Sequence, residues 1–264
     1  MRVAVIALVA GCAFHPGAGT REPDDAPADV ATPRDAPADV GIDGPPPLCE
    51  VADASLVLCL EFNEVGLAGA ANAIDGSGKH HDAALSNIGV TTRTVPATSQ
   101  AITLTSSTDI TLPMHSDFDL QHFTLSAWVK RNALAEMGVF DTGKQYTISL
   151  FNADGSVECA VSHQTNTSGF ANGSPTASGE WDLVACTNDG AQLCSYSFRN
   201  GSKTPTVKCL AYTQSIDTGI GLGTTVGEWA GGGSHFTGAL DQVRVYNRAL
   251  SASQLCVQGG LSGC

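Results

Sequence analysis

Short runs of apolar residues, either alternating with polar ones or almost continuous, recur at short intervals from residue 49 onward. Residues 122–130 alternate, so that Phe123, Leu125 and Val129 fall on one side of an extended chain, whereas residues 56–62 are apolar almost throughout. Alternation is typical of a strand buried on one face, and a short continuous run is typical of a strand buried on both. The pattern therefore predicts a domain built mostly from β-strands.

The residues between these runs favour tight turns between antiparallel strands. Asp154-Gly155 and Asn200-Gly201 are dipeptides that hairpin turns prefer, because both residues adopt positive φ at low cost. One helix is expected near the C-terminus, where Ser251 and Gln254 have the spacing of a capping box. Strands and turns together predict an all-β fold, an antiparallel sandwich that carries a short terminal helix.

The start of the chain has a different pattern. Residues 1–12 join a basic residue to a short apolar run, which is the outline of a secretory signal. Val9-Ala10-Gly11-Cys12 resembles a bacterial lipobox, so we expect Cys12 to carry lipid; an ordinary signal peptide cut elsewhere is the alternative. Residues 13–48 are rich in Pro, Ala and Asp and are expected to form a disordered tether. The folded domain is then 49–264.

Charge and hydropathy exclude two further classes of protein. The chain has 13 basic and 26 acidic residues and a net charge of −13, so it would repel the phosphates of nucleic acid. No apolar run approaches the roughly 20 residues that cross a bilayer, so we expect membrane contact through the lipid anchor alone. Ala13, rather than Asp, follows the lipobox. By resemblance to lipoprotein sorting in double-membrane bacteria, this residue favours a location at the outer membrane or cell surface. We also expect the protein to be a monomer.

Nine cysteines are present, and eight remain once Cys12 is assigned to lipid. An even number in an exported chain suggests disulfides, although eight cysteines allow on the order of a hundred pairings. We favour the local pairs Cys49–Cys59, Cys159–Cys186, Cys194–Cys209 and Cys256–Cys264. The middle two would join neighbouring strands of one sheet. Zinc is not expected, because the cysteines lack zinc-site spacing and the adjacent residues of His80-His81-Asp82 would point to opposite faces of a strand.

Several segments resemble, in order, the strands of LamG-like jelly-roll domains in the concanavalin A-like lectin/glucanase superfamily. The most specific is Phe-Thr-Leu-Ser-Ala-Trp-Val-Lys at 123–130. The other matching segments are 58–63, 75–83, 181–187, 198–201 and 236–251. The resemblance covers about residues 50–257 and implies an antiparallel jelly-roll sandwich. The extra cysteines suggest a disulfide-reinforced subgroup.

The resemblance also implies one structural calcium ion, with Asn63, Asp75 and Asp241 as candidate ligands. Calcium takes six to eight oxygens, so backbone carbonyls at Glu61 or Glu64 would have to complete the set. The alternatives are that Asp75 orders a turn and that Asp241 bonds backbone at the end of a strand. A metal-free fold held together by disulfides is the competing hypothesis.

Carbohydrate binding is the leading function that the resemblance implies. Trp229 lies in a Gly-rich loop and is a candidate for stacking on a sugar ring. Gln164 and Asn166 lie in a polar stretch expected to be a loop, and their amides are candidates for hydrogen bonds to hydroxyl groups. Trp128 and Trp181 lie in predicted strands and are expected in the core. A protein-adhesion or structural surface module is the second hypothesis.

A glycosidase is the third hypothesis and the least favoured. Retaining glucanases of this fold carry two carboxylates on a Glu-x-Asp-x-(x)-Glu strand, because hydrolysis needs two acids facing the scissile bond. Glu180-Trp181-Asp182 is the nearest match, and the third acid is missing. We therefore expect a non-catalytic recognition module at the cell surface, with carbohydrate or a surface protein as its partner.

Overall fold

The apolar runs form the strands of two antiparallel sheets. The computed structural model describes residue 49 and residues 53–132, 135–143, 145–151, 154–163, 166–219, 223–230 and 233–264, except for the side chains of 166–168 and 174–175. The expected signal segment 1–12 with Cys12 and the expected tether 13–48 lie outside the described residues, and both stay predictions.

Sixteen strands are present within the described residues. The first eight are β1 (Leu56–Leu60), β2 (Asn72–Ala73), β3 (Ala83–Ser86), β4 (Gly89–Arg93), β5 (Ser99–Leu104), β6 (Asp109–Leu112), β7 (Phe123–Arg131) and β8 (Met137–Thr142). The other eight are β9 (Tyr146–Phe151), β10 (Ser156–His163), β11 (Asn166–Pro175), β12 (Asp182–Asn188), β13 (Gln192–Phe198), β14 (Thr206–Ala211), β15 (Thr224–Val226) and β16 (Gly238–Tyr246). The helices are α1 (Ala252–Gln258) and the 3-10 turns Leu67–Gly69, Ser116–Phe118 and Arg199–Gly201.

These strands divide equally between two sheets. Sheet 1 has the order β14-β13-β12-β7-β16-β5-β4, and β1 pairs with β16 beside this path. Sheet 2 has the order β11-β10-β9-β8-β15-β6-β3-β2. All pairings are antiparallel among the described strands. The first and last strands of the domain are neighbours in sheet 1.

One large core lies between the sheets. Leu125 and Val129 reach it from β7 in sheet 1, and Ile148 and Val161 reach it from sheet 2; each is at most 1% exposed. These are alternate residues of their strands, as the sequence pattern predicts. The predicted all-β antiparallel sandwich is therefore confirmed.

A second apolar cluster covers the outer face of sheet 1. Trp128 and Trp181 belong to it and are 0% and 4% exposed, so both tryptophans are core residues, as expected. The terminal helix α1 adds Leu255 and Cys256 to this cluster. The indole N–H of Trp128 also donates to the carbonyl of Gly259, which follows the helix, at 3.3 Å. This part of sheet 1 is thus occupied by the protein's own C-terminus.

The local signals for turns and caps are confirmed. The hydroxyl of Ser251 accepts from the N–H of Gln254 at 3.3 Å, and the side chain of Gln254 accepts from the N–H of Ser251 at 2.9 Å, which is a complete capping box. Asp154 and Gly155 connect β9 to β10, and Gly155 has a φ of +74°. The second dipeptide, Asn200-Gly201, lies in the connection between β13 and β14.

Four disulfides join the pairs that the sequence favoured: Cys49–Cys59, Cys159–Cys186, Cys194–Cys209 and Cys256–Cys264. The expected placement of one pair was wrong. Cys194 and Cys209 are direct partners on neighbouring strands β13 and β14, as expected. Cys159 and Cys186 belong to different sheets, β10 and β12, and both point into the central core. That disulfide therefore crosses the sandwich.

The polar stretch around residue 170 also differs from expectation. Residues 166–175 form strand β11 at the edge of sheet 2 and pair with β10, whereas the sequence suggested a loop. An edge strand with few core-facing residues lacks the apolar alternation that identifies a strand in the sequence. Within the described residues, no helix combines the length and the apolar character needed to cross a bilayer.

Candidate functional site

The outer face of sheet 2 carries a set of mostly polar side chains. On β9, Ile148 and Leu150 point into the core, so Thr147 and Ser149 point outward. The same alternation on β10 places Glu158 on the outer face. Apolar residues would be needed here only if another layer packed on this sheet, as it does on sheet 1. The outer face of sheet 2 is therefore more polar in composition than the covered outer face of sheet 1.

Strand register arranges these side chains in two rows across the sheet. Directly paired residues of neighbouring antiparallel strands share a face of the sheet. Successive partners in the first row are Phe170, Ala160, Thr147, Asp141, Thr225 and Thr111. Successive partners in the second row are Asn172, Glu158, Ser149 and Gly138. Both rows run perpendicular to the strands, the first from β11 to β6 and the second from β11 to β8.

A bulge in β8 keeps both rows in register. The pairing with β9 shifts between Gly138 and Phe140, so that one extra residue, Val139, is accommodated. Val139 and Phe140 both point into the core. Gly138 and Asp141 therefore remain on the outer face, on either side of the bulge. If these residues alternated regularly without a bulge, Phe140 would point outward and Asp141 would point to the core side.

An aromatic side chain lies at each side of this polar face. Phe170 on β11 is 49% exposed. Trp229 is half-buried and packs over Gly138, where an added Cβ would lie 2.7 Å from Cδ1 of the indole and 2.5 Å from the backbone carbon of Glu228. Only glycine leaves room for the tryptophan here. Trp229 thus folds back onto the sandwich while keeping part of its surface in solvent.

Backbone hydrogen bonds hold the Trp229 loop on β8. The N–H of Gly227 donates to the carbonyl of Val139 at 2.9 Å, and the N–H of Gly138 donates to the carbonyl of Ser234 at 2.7 Å. The N–H of Ala230 donates to the carboxylate of Asp141 at 3.2 Å. The loop is therefore attached on both sides of the indole, which fixes the tryptophan beside the second row.

Glu158 is the unusual ionisable group of the face. Its side chain is buried, and the residue is 4% exposed. Burial, with a smaller contribution from the negative charge of Glu136, raises the pKa of Glu158 to about 7, against the opposing effect of a hydrogen bond from the Ser149 hydroxyl at 3.4 Å. The carboxyl group therefore changes charge near neutral pH and can either donate or accept a hydrogen bond.

A second acidic group lies at the base of the Trp229 loop. Glu228 is 8% exposed, and its pKa is raised mainly by burial, with a smaller contribution from Asp109. The imidazole of His235 lies 3.3 Å from its carboxylate and opposes this rise. The Thr225 hydroxyl donates to the backbone carbonyl of Glu228 at 2.9 Å. These contacts connect the loop to the first row.

The three calcium candidates have protein partners in the structure. The carboxylate of Asp75 accepts from the backbone N–H groups of Cys59, Ser77 and His81 and from the Ser77 hydroxyl, at 2.7 to 3.0 Å. This matches the alternative interpretation of Asp75 as a residue that orders the turn. These donors occupy its oxygens in the way that a cation would, so the contacts lend the calcium hypothesis no support.

Asp241 and Asn63 are also engaged by protein groups. Asp241 is fully buried, and its Oδ2 lies 2.6 Å from Nε of the fully buried Arg93. Burial raises the pKa of Asp241 to about 6, against the opposing charge of Arg93. Asn63 accepts from the hydroxyl of Ser99 and from the N–H of Gln100, each at 3.1 Å. A guanidinium already neutralises Asp241, and calcium stays a prediction.

The near match to a glucanase strand serves a structural role. Asp182 is 0% exposed, and its two carboxylate oxygens accept from the N–H groups of Ala177 and Asn200, at 3.0 and 2.7 Å. Its pKa is raised, mainly by burial. The carboxylate thus ties together the chain before and after β12. This position gives no support to the glycosidase hypothesis.

The structure places two of the three predicted ligand-binding residues, Trp229 and Asn166, at different parts of sheet 2. Trp229 borders the outer face of sheet 2, as described above. Asn166 begins β11 and pairs through its backbone with His163, and Gln164 lies outside the described residues. Sequence reasoning missed Phe170. The available signal was an isolated aromatic residue within a stretch rich in Asn, Ser and Gly, but its outward direction depends on the register of β11.

Comparisons with known proteins agree with this architecture. Domain 4 of AbnA, a GH43 extracellular arabinanase from Geobacillus stearothermophilus, solved with arabinotriose, aligns with a TM-score of 0.52 and 17% identity over 79% of this chain and 98% of that one. The binding domain of botulinum neurotoxin DC with SialylT aligns with a TM-score of 0.54 and 13% identity over 80% of this chain and 52% of that one.

A further botulinum neurotoxin DC binding domain, in complex with rat synaptotagmin II, aligns with a TM-score of 0.53 and 12% identity over 79% of this chain and 52% of that one. This chain spans about half of the toxin domains, and identities this low show the fold alone. None of the curated proteins matches the sequence. The family profile described as Concanavalin A-like lectin/glucanases superfamily matches residues 104–256, which is more than half of the chain. The protein therefore belongs to the concanavalin A-like lectin/glucanase superfamily.

Proposed function

We propose that this domain is a non-catalytic carbohydrate-binding module and that the sugar lies on the outer face of sheet 2. The observation that carries the proposal is the pair of polar rows bordered by Phe170 and Trp229. Sugar sites combine aromatic surface, which packs on the apolar face of a ring, with a few polar groups that bond its hydroxyls.

The dimensions of the face suit an oligosaccharide better than a single sugar. Phe170 lies on β11 and Asp141 on β8, three strand spacings away, which is about 14 Å. Between them, the partly exposed Thr147 offers a hydroxyl group, and the exposed Asn172 on β11 offers an amide, whereas Ser149 and Glu158 in the adjacent row are at most 4% exposed and lie beneath the accessible surface. Hydroxyl and amide groups accept and donate hydrogen bonds, which matches the alternating donors and acceptors of sugar hydroxyls.

Two of the structural relatives support a sugar ligand. The arabinanase domain was solved with arabinotriose and one toxin domain with SialylT, so the shared sandwich accommodates glycans in other proteins. The synaptotagmin II complex of another toxin domain supports the second candidate, a protein receptor. For that candidate, the exposed Phe170 would serve as an apolar contact rather than a stacking platform.

A glycan array tests the proposal directly. The oxidised chain is screened beside the variants Phe170→Ala and Trp229→Ala, with Val207→Ala as control, because Val207 is a 41% exposed apolar residue on β14 of sheet 1. We expect binding to a defined oligosaccharide class that each aromatic substitution weakens at least tenfold and the control leaves unchanged. A blank array with correctly folded protein would reject the sugar hypothesis in favour of the protein receptor.

A further inference from the structure

A cluster of two histidines and one aspartate lies away from the polar face of sheet 2. One ring nitrogen each from His81 and His115 and one carboxylate oxygen of Asp117 lie within 4.8 Å of one another. Nε2 of His81 is 3.1 Å from Oδ2 of Asp117, and Nδ1 of His115 is 3.5 Å from Oδ1 of the same residue. The two imidazole rings are 4.7 Å apart.

We propose that His81, His115 and Asp117 bind a divalent transition-metal ion, with Zn²⁺ as the reference ion. Zinc binds imidazole nitrogens and carboxylate oxygens at about 2.0–2.2 Å in a tetrahedron, which places neighbouring ligand atoms about 3.3–3.5 Å apart. Each histidine lies near that separation from a different oxygen of Asp117, at 3.1 Å for Nε2 of His81 and 3.5 Å for Nδ1 of His115. Imidazole ligands favour zinc, copper or nickel over calcium, which prefers oxygen alone.

The chain holds these side chains close together before any ion binds. His81 is 3% exposed, its backbone N–H donates to Asp75, and its ring packs 5.0 Å from the ring of Phe118. Nδ1 of His115 accepts from the backbone N–H of Asp117 at 3.2 Å and caps the 3-10 turn; an ion bound at Nδ1 would replace this hydrogen bond. Ordering at two places reduces the entropy that a metal site must offset on binding.

The backbone conformation at His80 explains why the sequence-based expectation against a metal site at His81 does not hold. His80 has a φ of +62°, so the chain turns sharply there instead of continuing as a strand. His80 is exposed while His81 is buried beside Phe118. The partners of His81 come from residues more than thirty positions later in the chain, a contact that local spacing does not show.

Three protein ligands leave a fourth position of a tetrahedral ion for water or a solute. His115 and Phe118 also line a neighbouring cavity of about 220 Å³, whose other walls include Met114, Asp119 and Gln145. The cluster therefore borders a space that an exchangeable ligand can reach. This arrangement resembles the three-ligand type of zinc site rather than a closed four-ligand structural site.

Metal titration of the full oxidised chain, without an affinity tag, tests the site. Isothermal titration with Zn²⁺ and the visible absorption of bound Co²⁺ are compared for the wild type and for His115→Asn and Asp117→Asn. His163→Asn is the matched control, because His163 bonds the Ser215 carbonyl in a different part of the fold. His115 and Asp117 are not buried, so both variants should fold.

We expect one Zn²⁺ per chain with a dissociation constant in the micromolar range or below, and an absorption spectrum typical of tetrahedral Co²⁺. Each of the two cluster variants should weaken binding at least tenfold, and the His163 control should bind as the wild type does. Absence of stoichiometric binding, or equal binding by the cluster variants, would overturn the proposal and show that the cluster is only a set of ion pairs.

Discussion

Glu158 illustrates how one position on a sheet determines the chemistry of a residue. The carboxyl group lies on the outer face of sheet 2, is 4% exposed, and has a pKa raised to about 7. Its alternation with Val157 and Cys159, which both point into the core, is visible in the sequence. Its burial and its proximity to Glu136 are not, because they depend on neighbouring segments.

Glu158 should make stability fall as pH rises through neutrality. Its folded-state pKa lies above its unfolded value of 4.5, so its contribution to stability is complete below pH 4.5 and is lost as pH rises through about 7. Glu158→Gln removes this dependence. We expect the decrease in unfolding free energy between pH 5 and pH 8, measured by denaturant titration, to be about 2 to 3 kcal/mol smaller in the variant.

Asp189→Asn is the control for this measurement. Backbone hydrogen bonds from Ala191 and Gln192 lower the pKa of Asp189, so its contribution to stability is lost only as pH falls below the usual range of an aspartate. We expect the control to lower stability equally at every pH in this range through its weakened turn, so its slope between pH 5 and pH 8 should equal that of the wild type. An unchanged slope in Glu158→Gln would show that this group ionises as it does in water.

Asp241 shows the limit of residue-level prediction. The resemblance placed this acid in a calcium site, whereas its partner in the structure is Arg93, 148 residues earlier in the chain. The guanidinium also lies 4.9 Å from the ring of Trp128, on the covered outer face of sheet 1. No local pattern links these three residues, because their contact depends on the order of β4, β5, β16 and β7 in the sheet.

At the level of elements, alternation and turn residues predicted most of the sandwich correctly. Strands β1 and β7 lie where the continuous and the alternating apolar runs placed them, and α1 begins at the predicted cap. Strand β11 was missed because an edge strand has only one neighbour and few core contacts. The cysteine pairs were predicted by proximity in sequence, but which sheets they join depends on the packing of two layers.

The disulfide that crosses the sandwich should contribute more to stability than the one at the C-terminus. Cys159–Cys186 closes a loop with a sequence separation of 27, and Cys256–Cys264 closes one with a separation of 8. Chain entropy makes the longer loop worth about 1 kcal/mol more. We expect the double alanine variant of the first pair to lose that much more unfolding free energy in denaturant titrations than the same variant of the second.

Burial adds to this difference. Cys159 and Cys186 are both 0% exposed within the central core, so two alanines there also remove packed atoms. Cys264, by contrast, is exposed. Equal losses for the two pairs would contradict the assignment of Cys159–Cys186 as the tie between the sheets.

At the scale of the whole molecule, the two outer faces of the sandwich differ. Sheet 1 is covered by a second apolar cluster to which α1 contributes, whereas sheet 2 presents rows of mostly polar residues. Resemblance to LamG-like domains predicted the sandwich but not this difference, which depends on where the C-terminus packs. The expected lipid anchor at Cys12 and the tether 13–48 would carry this domain at a membrane surface; both stay predictions.

Chemical-shift mapping with an oligosaccharide identified on the array tests most directly whether sheet 2 binds carbohydrate on its outer face, as proposed. Amide spectra of the oxidised, isotope-labelled chain are recorded during the titration. We predict saturable shifts concentrated on β8 to β11 and on the loop around Trp229, weakened in Phe170→Ala. Shifts confined to sheet 1, or no shifts at saturating ligand, would contradict carbohydrate binding on the outer face of sheet 2.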